Sequence, residues 1–172
     1  MDLKCESAIM RPYTKSHAVT ILIGVGNPYA SDDGVGHYIA RELNSKGLPG
    51  AVFKFLSGEA TLLMEAWKDK EAAIVFDAVS SGARAGKIHR FDAHRQSIPA
   101  KFFNRSSHGF GLFEAIELAR RLGLLPGSLT VYGIEGKSFR PGVGLSPEVE
   151  DAAHKVIRQA MANFLRISKE DQ

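Results

Sequence analysis

The feature that most constrains this chain is the stretch of residues 21–36. An apolar run, Ile21-Leu22-Ile23, breaks into Gly24-Val25-Gly26-Asn27-Pro28, and two adjacent carboxylates, Asp32 and Asp33, then open a helical pattern. Strand, tight turn and helix start in this order make the first βα unit of an open α/β sheet. Such a turn lies at the carboxyl end of its strand, where open α/β sheets place their sites. Asp33 is therefore expected to be one corner of a site.

The rest of the chain repeats the alternation. Apolar runs at 52–56, 72–76 and 129–134 read as strands, with the first strand at 19–24. An extended pattern at 87–91 reads as an antiparallel edge strand. Helical spacing follows Asp33, recurs at 60–68 and from His108 (with Leu112, Phe113, Ile116, Ala119 and Leu122 facing the core), and is clearest after Ser146-Pro147-Glu148, which carries a capping serine and a first-position proline. The expected fold is α/β, a three-layer α-β-α sandwich around a twisted, mostly parallel sheet of about five strands. A chain of 172 residues is expected to form one domain over 18–172 after a flexible leader at 1–17.

Charge and composition narrow the function. The net charge of +3 is spread along the chain, without the clustered basic face that nucleic acid requires. The longest apolar run, near 19–25, is far short of the roughly 20 residues of a membrane helix. Cys5 is the only cysteine, so no internal disulfide is available and a reducing, cytoplasmic setting is expected.

Gly24-Val25-Gly26 invites a nucleotide-binding reading, but Tyr29 stands where the third glycine of the dinucleotide fingerprint belongs. Two carboxylates at a helix start would also repel a pyrophosphate. Asp32, next to the turn, is expected to cap the helix, leaving Asp33 free for the crevice. Asp77 ends the apolar run Ala72-Ala73-Ile74-Val75-Phe76, a costly place for an acid without partners or a task. If strands one and three are neighbours, Asp33 and Asp77 converge, which suits cation binding or shared-proton hydrolysis. Of six histidines, His37 lies on the helix face of Asp33, while His108 sits between a polar loop and a helix in Ser106-Ser107-His108-Gly109. Two carboxylates and one imidazole form an O/O/N set suited to a borderline divalent metal with open positions. Each of these residues also has a plainer reading: a dipole-stabilising acid for Asp33, a turn residue for Asp77, a solvated imidazole for the histidines.

Taken together, Gly24-Val25-Gly26-Asn27, Asp32-Asp33-Gly34-Val35-Gly36, Val75-Phe76-Asp77-Ala78, Ser106-Ser107-His108-Gly109-Phe110-Gly111-Leu112 and Phe139-Arg140-Pro141-Gly142-Val143-Gly144-Leu145-Ser146-Pro147 resemble, in order and spacing, the [NiFe]-hydrogenase maturation endopeptidases. The resemblance implies a protease that removes the C-terminal extension of a hydrogenase large-subunit precursor after nickel insertion. It places the family's metal contacts on Asp33, Asp77 and His108, with Asp33 and Asp77 as candidates for the catalytic base. The nickel would be carried by the precursor, with no organic cofactor, and the chain is expected to act as a monomer. Many members carry Glu at the position of Asp33, and Ser57-Gly58-Glu59 replaces the family's Gly-Gly-Thr-like turn. Two other functions stay open at this point: a nickel-sensing chaperone that docks without cutting, and a nucleotide-binding α/β enzyme.

Overall fold

The computed structural model describes residues 20–102 and 111–170. The expected leader and His108 lie outside the described residues. The elements run β1 (Thr20–Val25), α1 (Val35–Ser45), β2 (Ala51–Leu56), α2 (Ala60–Trp67), β3 (Ala72–Val79), β4 (Ile88–Asp92), α3 (Leu112–Leu122), β5 (Ser128–Glu135) and α4 (Pro147–Glu170), with short 3-10 turns at Ser31–Gly34 and Ala100–Phe102.

The five strands are ordered β2-β1-β3-β5-β4. β1 pairs in parallel with both β2 and β3, β3 with β5 in parallel, and β4 alone runs antiparallel, along β5. Strands one and three are thus neighbours, the condition on which convergence of Asp33 and Asp77 depended.

The pleat sorts β1 between two cores. Ile21, Ile23 and Val25 face α2 and α3, while Leu22 faces α1 and α4. Every residue of β1 is buried, as a central strand with helices on both sides requires. Each fully buried Ile or Leu here contributes about 2 kcal/mol of transfer free energy. Of the residues expected to face the core from α3, Leu112, Phe113, Ile116 and Ala119 are buried and Leu122 is exposed. Leu122 is the last residue of α3.

Two local expectations change. β3 does not stop at Asp77 but continues to Val79, because Asp77, Ala78 and Val79 keep register with Gly133, Ile134 and Glu135 of β5. α1 does not begin directly after Asp33; a 3-10 turn carries both aspartates, and the helix starts at Val35.

Candidate active site

The glycines of the first turn prove to be devices for close approach. Gly26 sits at φ +121, and a methyl group there would collide with the Asp33 carbonyl. A methyl on Gly36 would strike the carbonyl oxygens of Phe76 and Val25. The start of α1 therefore rests directly on the carboxyl ends of β1 and β3. That contact brings Asp33 to the strand end that carries Asp77.

Asp33 is held by its own turn. Its Oδ2 accepts the Asn27 N–H at 2.8 Å, and Asn27 Oδ1 in turn accepts the Tyr29 N–H at 2.9 Å. Burial raises its pKa above the ordinary carboxylate value, partly opposed by the Asn27 N–H and by His37. Asp77 is raised further, to about 8, first by burial and then by the charge of Asp33, against one backbone hydrogen bond from Ala78. The two side chains are close enough to couple electrostatically, and near neutral pH they share fewer than two negative charges. Along β3 the pleat places Asp77 on the same side as Val75 and Val79, the side covered by α2 and α3.

His37 flanks this pair. Its Nε2 lies 3.1 Å from the carbonyl oxygen of Leu56, and its ring meets Phe55 edge-on at 5.6 Å. It is tied to the end of β2. Two other described histidines are engaged elsewhere: His94 with the Pro126 carbonyl at 2.8 Å, and His154 with the Tyr38 hydroxyl at 3.0 Å.

Asp32 departs from the expected role. It caps neither the 3-10 turn nor α1. Fully buried, it turns away from its own helix and gathers the loop before α4. Oδ2 accepts the N–H groups of Lys137 and Ser138, each at 2.8 Å, and the Ser146 hydroxyl at 2.9 Å; Oδ1 accepts the Ser146 N–H at 2.6 Å. Burial pushes its pKa up, but these hydrogen bonds prevail and the value falls below the ordinary one. Ser146, expected to cap α4 with its side chain, gives its hydroxyl to Asp32 instead.

One further carboxylate escaped the sequence reading. Glu135 ends β5, buried to 2% exposure, and accepts N–H groups from Ser81, Gly82 and Ala83 and the Ser81 hydroxyl. It clamps the loop that follows β3. His89 Nε2 stands 3.4 Å from Glu135 Oε2, in ion-pair range without hydrogen-bond alignment, and its ring packs against Phe102 at 4.8 Å. The signal was available: like Asp77, Glu135 follows a run of apolar strand residues with an acid.

Chemically, Asp33 and Asp77 offer two carboxylates with a retained proton, a pair able to take a cation or to accept a proton from water. Among the described residues no group of three His, Cys, Asp or Glu side chains could hold a metal ion. The expected third member, His108, is not among them.

Comparison with known proteins then identifies the lineage. A model of the hydrogenase maturation protease family matches residues 56–163, a span that includes Asp77 and His108 and begins after Asp33. The hydrogenase 2 maturation protease of Escherichia coli strain K12 is 29% identical over 146 residues, covering 83% of this chain and 88% of that protein. An Escherichia coli endopeptidase solved in solution superposes with a TM-score of 0.74 at 27% identity, over 87% of this chain and 93% of that one. The Escherichia coli hydrogenase maturating endopeptidase HybD gives the same TM-score at 24% identity, over 86% and 93% of the two chains, and shares the fold. With more than half of its length matched by the family model, the chain belongs to the hydrogenase maturation proteases, a family of peptide-bond hydrolases.

Proposed function

We propose that this protein is the nickel-dependent endopeptidase that removes the C-terminal extension from a [NiFe]-hydrogenase large-subunit precursor once nickel has been inserted. Asp33, Asp77 and His108 are read as the residues that contact the nickel carried by the precursor. The observation that supports this most is the pairing of Asp33 with Asp77 near the carboxyl ends of β1 and β3, where burial of both acids and the charge of Asp33 beside Asp77 hold back a proton at neutral pH.

Such a pair is poised for a dication. An arriving metal offsets the repulsion and lets Asp77 release its proton, so the electrostatic cost of burying two acids becomes selectivity for metal-loaded substrate. Two or three protein donors leave coordination positions for the precursor's own ligands. Precursor without nickel would meet a half-protonated pair with little to hold. Hydrolysis then adds water to the scissile carbonyl and breaks the C–N bond. A carboxylate takes the proton from water and returns it to the leaving amine, giving a new carboxyl terminus and a free peptide. The reading places this reaction in the cytoplasm, with the chain acting as a monomer.

The test is processing of nickel-loaded precursor followed by mass spectrometry. Asp33→Asn, Asp77→Asn and His108→Gln are each expected to fold and to lower cleavage by roughly 100-fold or more, the scale for loss of a positioned acid or base. Complete processing by all three variants overturns the assignment. A stable complex of wild-type protein and precursor with no loss of mass would make it a docking chaperone instead.

A further inference from the structure

Tyr29 and Val143 are 73% and 79% exposed, the highest values among the large apolar residues described. They stand on neighbouring loops that are stitched together through the backbone. The Ser31 N–H donates to the Gly142 carbonyl and the Gly142 N–H to the Tyr29 carbonyl, both at 2.9 Å; the Asp32 N–H donates to the Ser138 carbonyl at 3.0 Å. The Ser31 hydroxyl adds a bond to the Arg140 carbonyl at 3.0 Å, and the Asp32 carboxylate anchors the far loop at Lys137, Ser138 and Ser146. Ser31 is held at φ +52, a left-handed conformation that a serine adopts only when its surroundings impose it.

A frame this constrained fixes the backbone from which Tyr29 and Val143 project, so little backbone ordering is left for a partner to impose. It is also continuous with the site, since the Tyr29 N–H binds Asn27 Oδ1 and the Asn27 N–H binds Asp33 Oδ2. Beside the ridge lies an open depression of about 530 Å³ lined by Lys137, Ser138, Phe139 and Arg140. Lys137 is engaged with Glu148 at 2.7 Å, which leaves the exposed Arg140 as the positive charge presented at this edge.

Resting on the function proposed above, we infer that this double loop is the docking ridge for the hydrogenase large-subunit precursor. It receives a precursor segment in which an apolar side chain lies beside a carboxylate: the apolar group covers Tyr29 and Val143, and the carboxylate meets Arg140. The ridge sets how tightly precursor is held, and Asp33 and Asp77 act after it has docked.

Steady-state cleavage of nickel-loaded precursor by the full chain tests this. Tyr29→Ala, Val143→Ser and Arg140→Glu are each expected to raise KM about five- to tenfold, as truncation of interface anchors does, with kcat within about twofold and an unchanged thermal midpoint. Leu122→Ser, which removes an exposed leucine at the end of α3, is expected to keep wild-type KM. An unchanged KM in the Tyr29→Ala/Val143→Ser double variant overturns the ridge, as does a loss confined to kcat. If wild-type protein binds precursor without cutting it, the proteolytic reading fails by itself. The ridge is then judged by calorimetric titration: about tenfold weaker binding in the double variant supports it, and unchanged binding overturns it.

Discussion

Asp32 and Asp33 are neighbours in the chain with opposite surroundings. Asp32 is sealed from solvent yet fully satisfied, its two oxygens sharing hydrogen bonds from Lys137, Ser138 and Ser146. Asp33 accepts one backbone N–H from Asn27 and faces a second carboxylate, Asp77. The first environment lowers a pKa and the second raises two. Burial acts in the same direction on all of them, so burial does not separate a structural acid from a reactive one. The number of donors reaching the carboxylate does. Glu135 belongs with Asp32 on this criterion, held by the loop from Ser81 to Ala83.

The comparison breaks most visibly at Asp32. Asp32→Ala leaves the N–H groups of Lys137, Ser138 and Ser146 without their acceptor, at a cost of about 3–5 kcal/mol in urea unfolding, the scale for dismantling a buried charged network. A loss below 1 kcal/mol would show that water replaces the carboxylate and that the contrast is overstated. Asp77→Asn should act in the opposite sense, raising stability at pH 7 by on the order of 2–4 kcal/mol while cleavage is lost, because wild-type Asp77 is ionised in the unfolded chain and must take up a proton on folding, which the amide need not do.

That gain should depend on pH. The unfolded chain releases the Asp77 proton near pH 4, whereas the folded protein keeps it to about 8. Wild-type stability therefore falls relative to Asp77→Asn as pH rises through this window. Below pH 4 the two proteins should converge; a constant difference would mean that Asp77 is not coupled to protonation. Asp33→Asn sharpens the point: with the neighbouring charge gone, the Asp77 pKa should move down from about 8, measured by carboxyl-carbon NMR titration. The smallest effect is the acid limb. Asp32 has a lowered pKa, so its contribution is complete above the unfolded value and is lost as pH falls through the folded one. Asp32→Asn should flatten that part of the stability curve.

Much of the fold was legible because its signals are local. The buried strands announce themselves as apolar runs, and α4 by its long stripe from Val149 to Phe164. The candidate pair was legible for a related reason: a carboxylate that ends an apolar strand, or sits at the turn after one, is placed at the carboxyl edge by the βα alternation itself. The fate of Asp32 was not legible, since its partners lie 105 to 114 residues away and, apart from the Ser146 hydroxyl, are backbone N–H groups that almost any residue would supply. Nor was the last stretch of β3, where pairing with Gly133 and Ile134 outweighs the break in hydrophobicity at Asp77.

By itself, then, the sequence determined the order of strands and helices and the tight turn between β1 and Asp33, because propensity, periodicity and chain chirality act over a few residues. Tertiary structure alone decided which of two adjacent aspartates became an anchor and which was left reactive. It did so by the loop it laid against one carboxylate and the second acid it set beside the other, and neither neighbour is near in the chain.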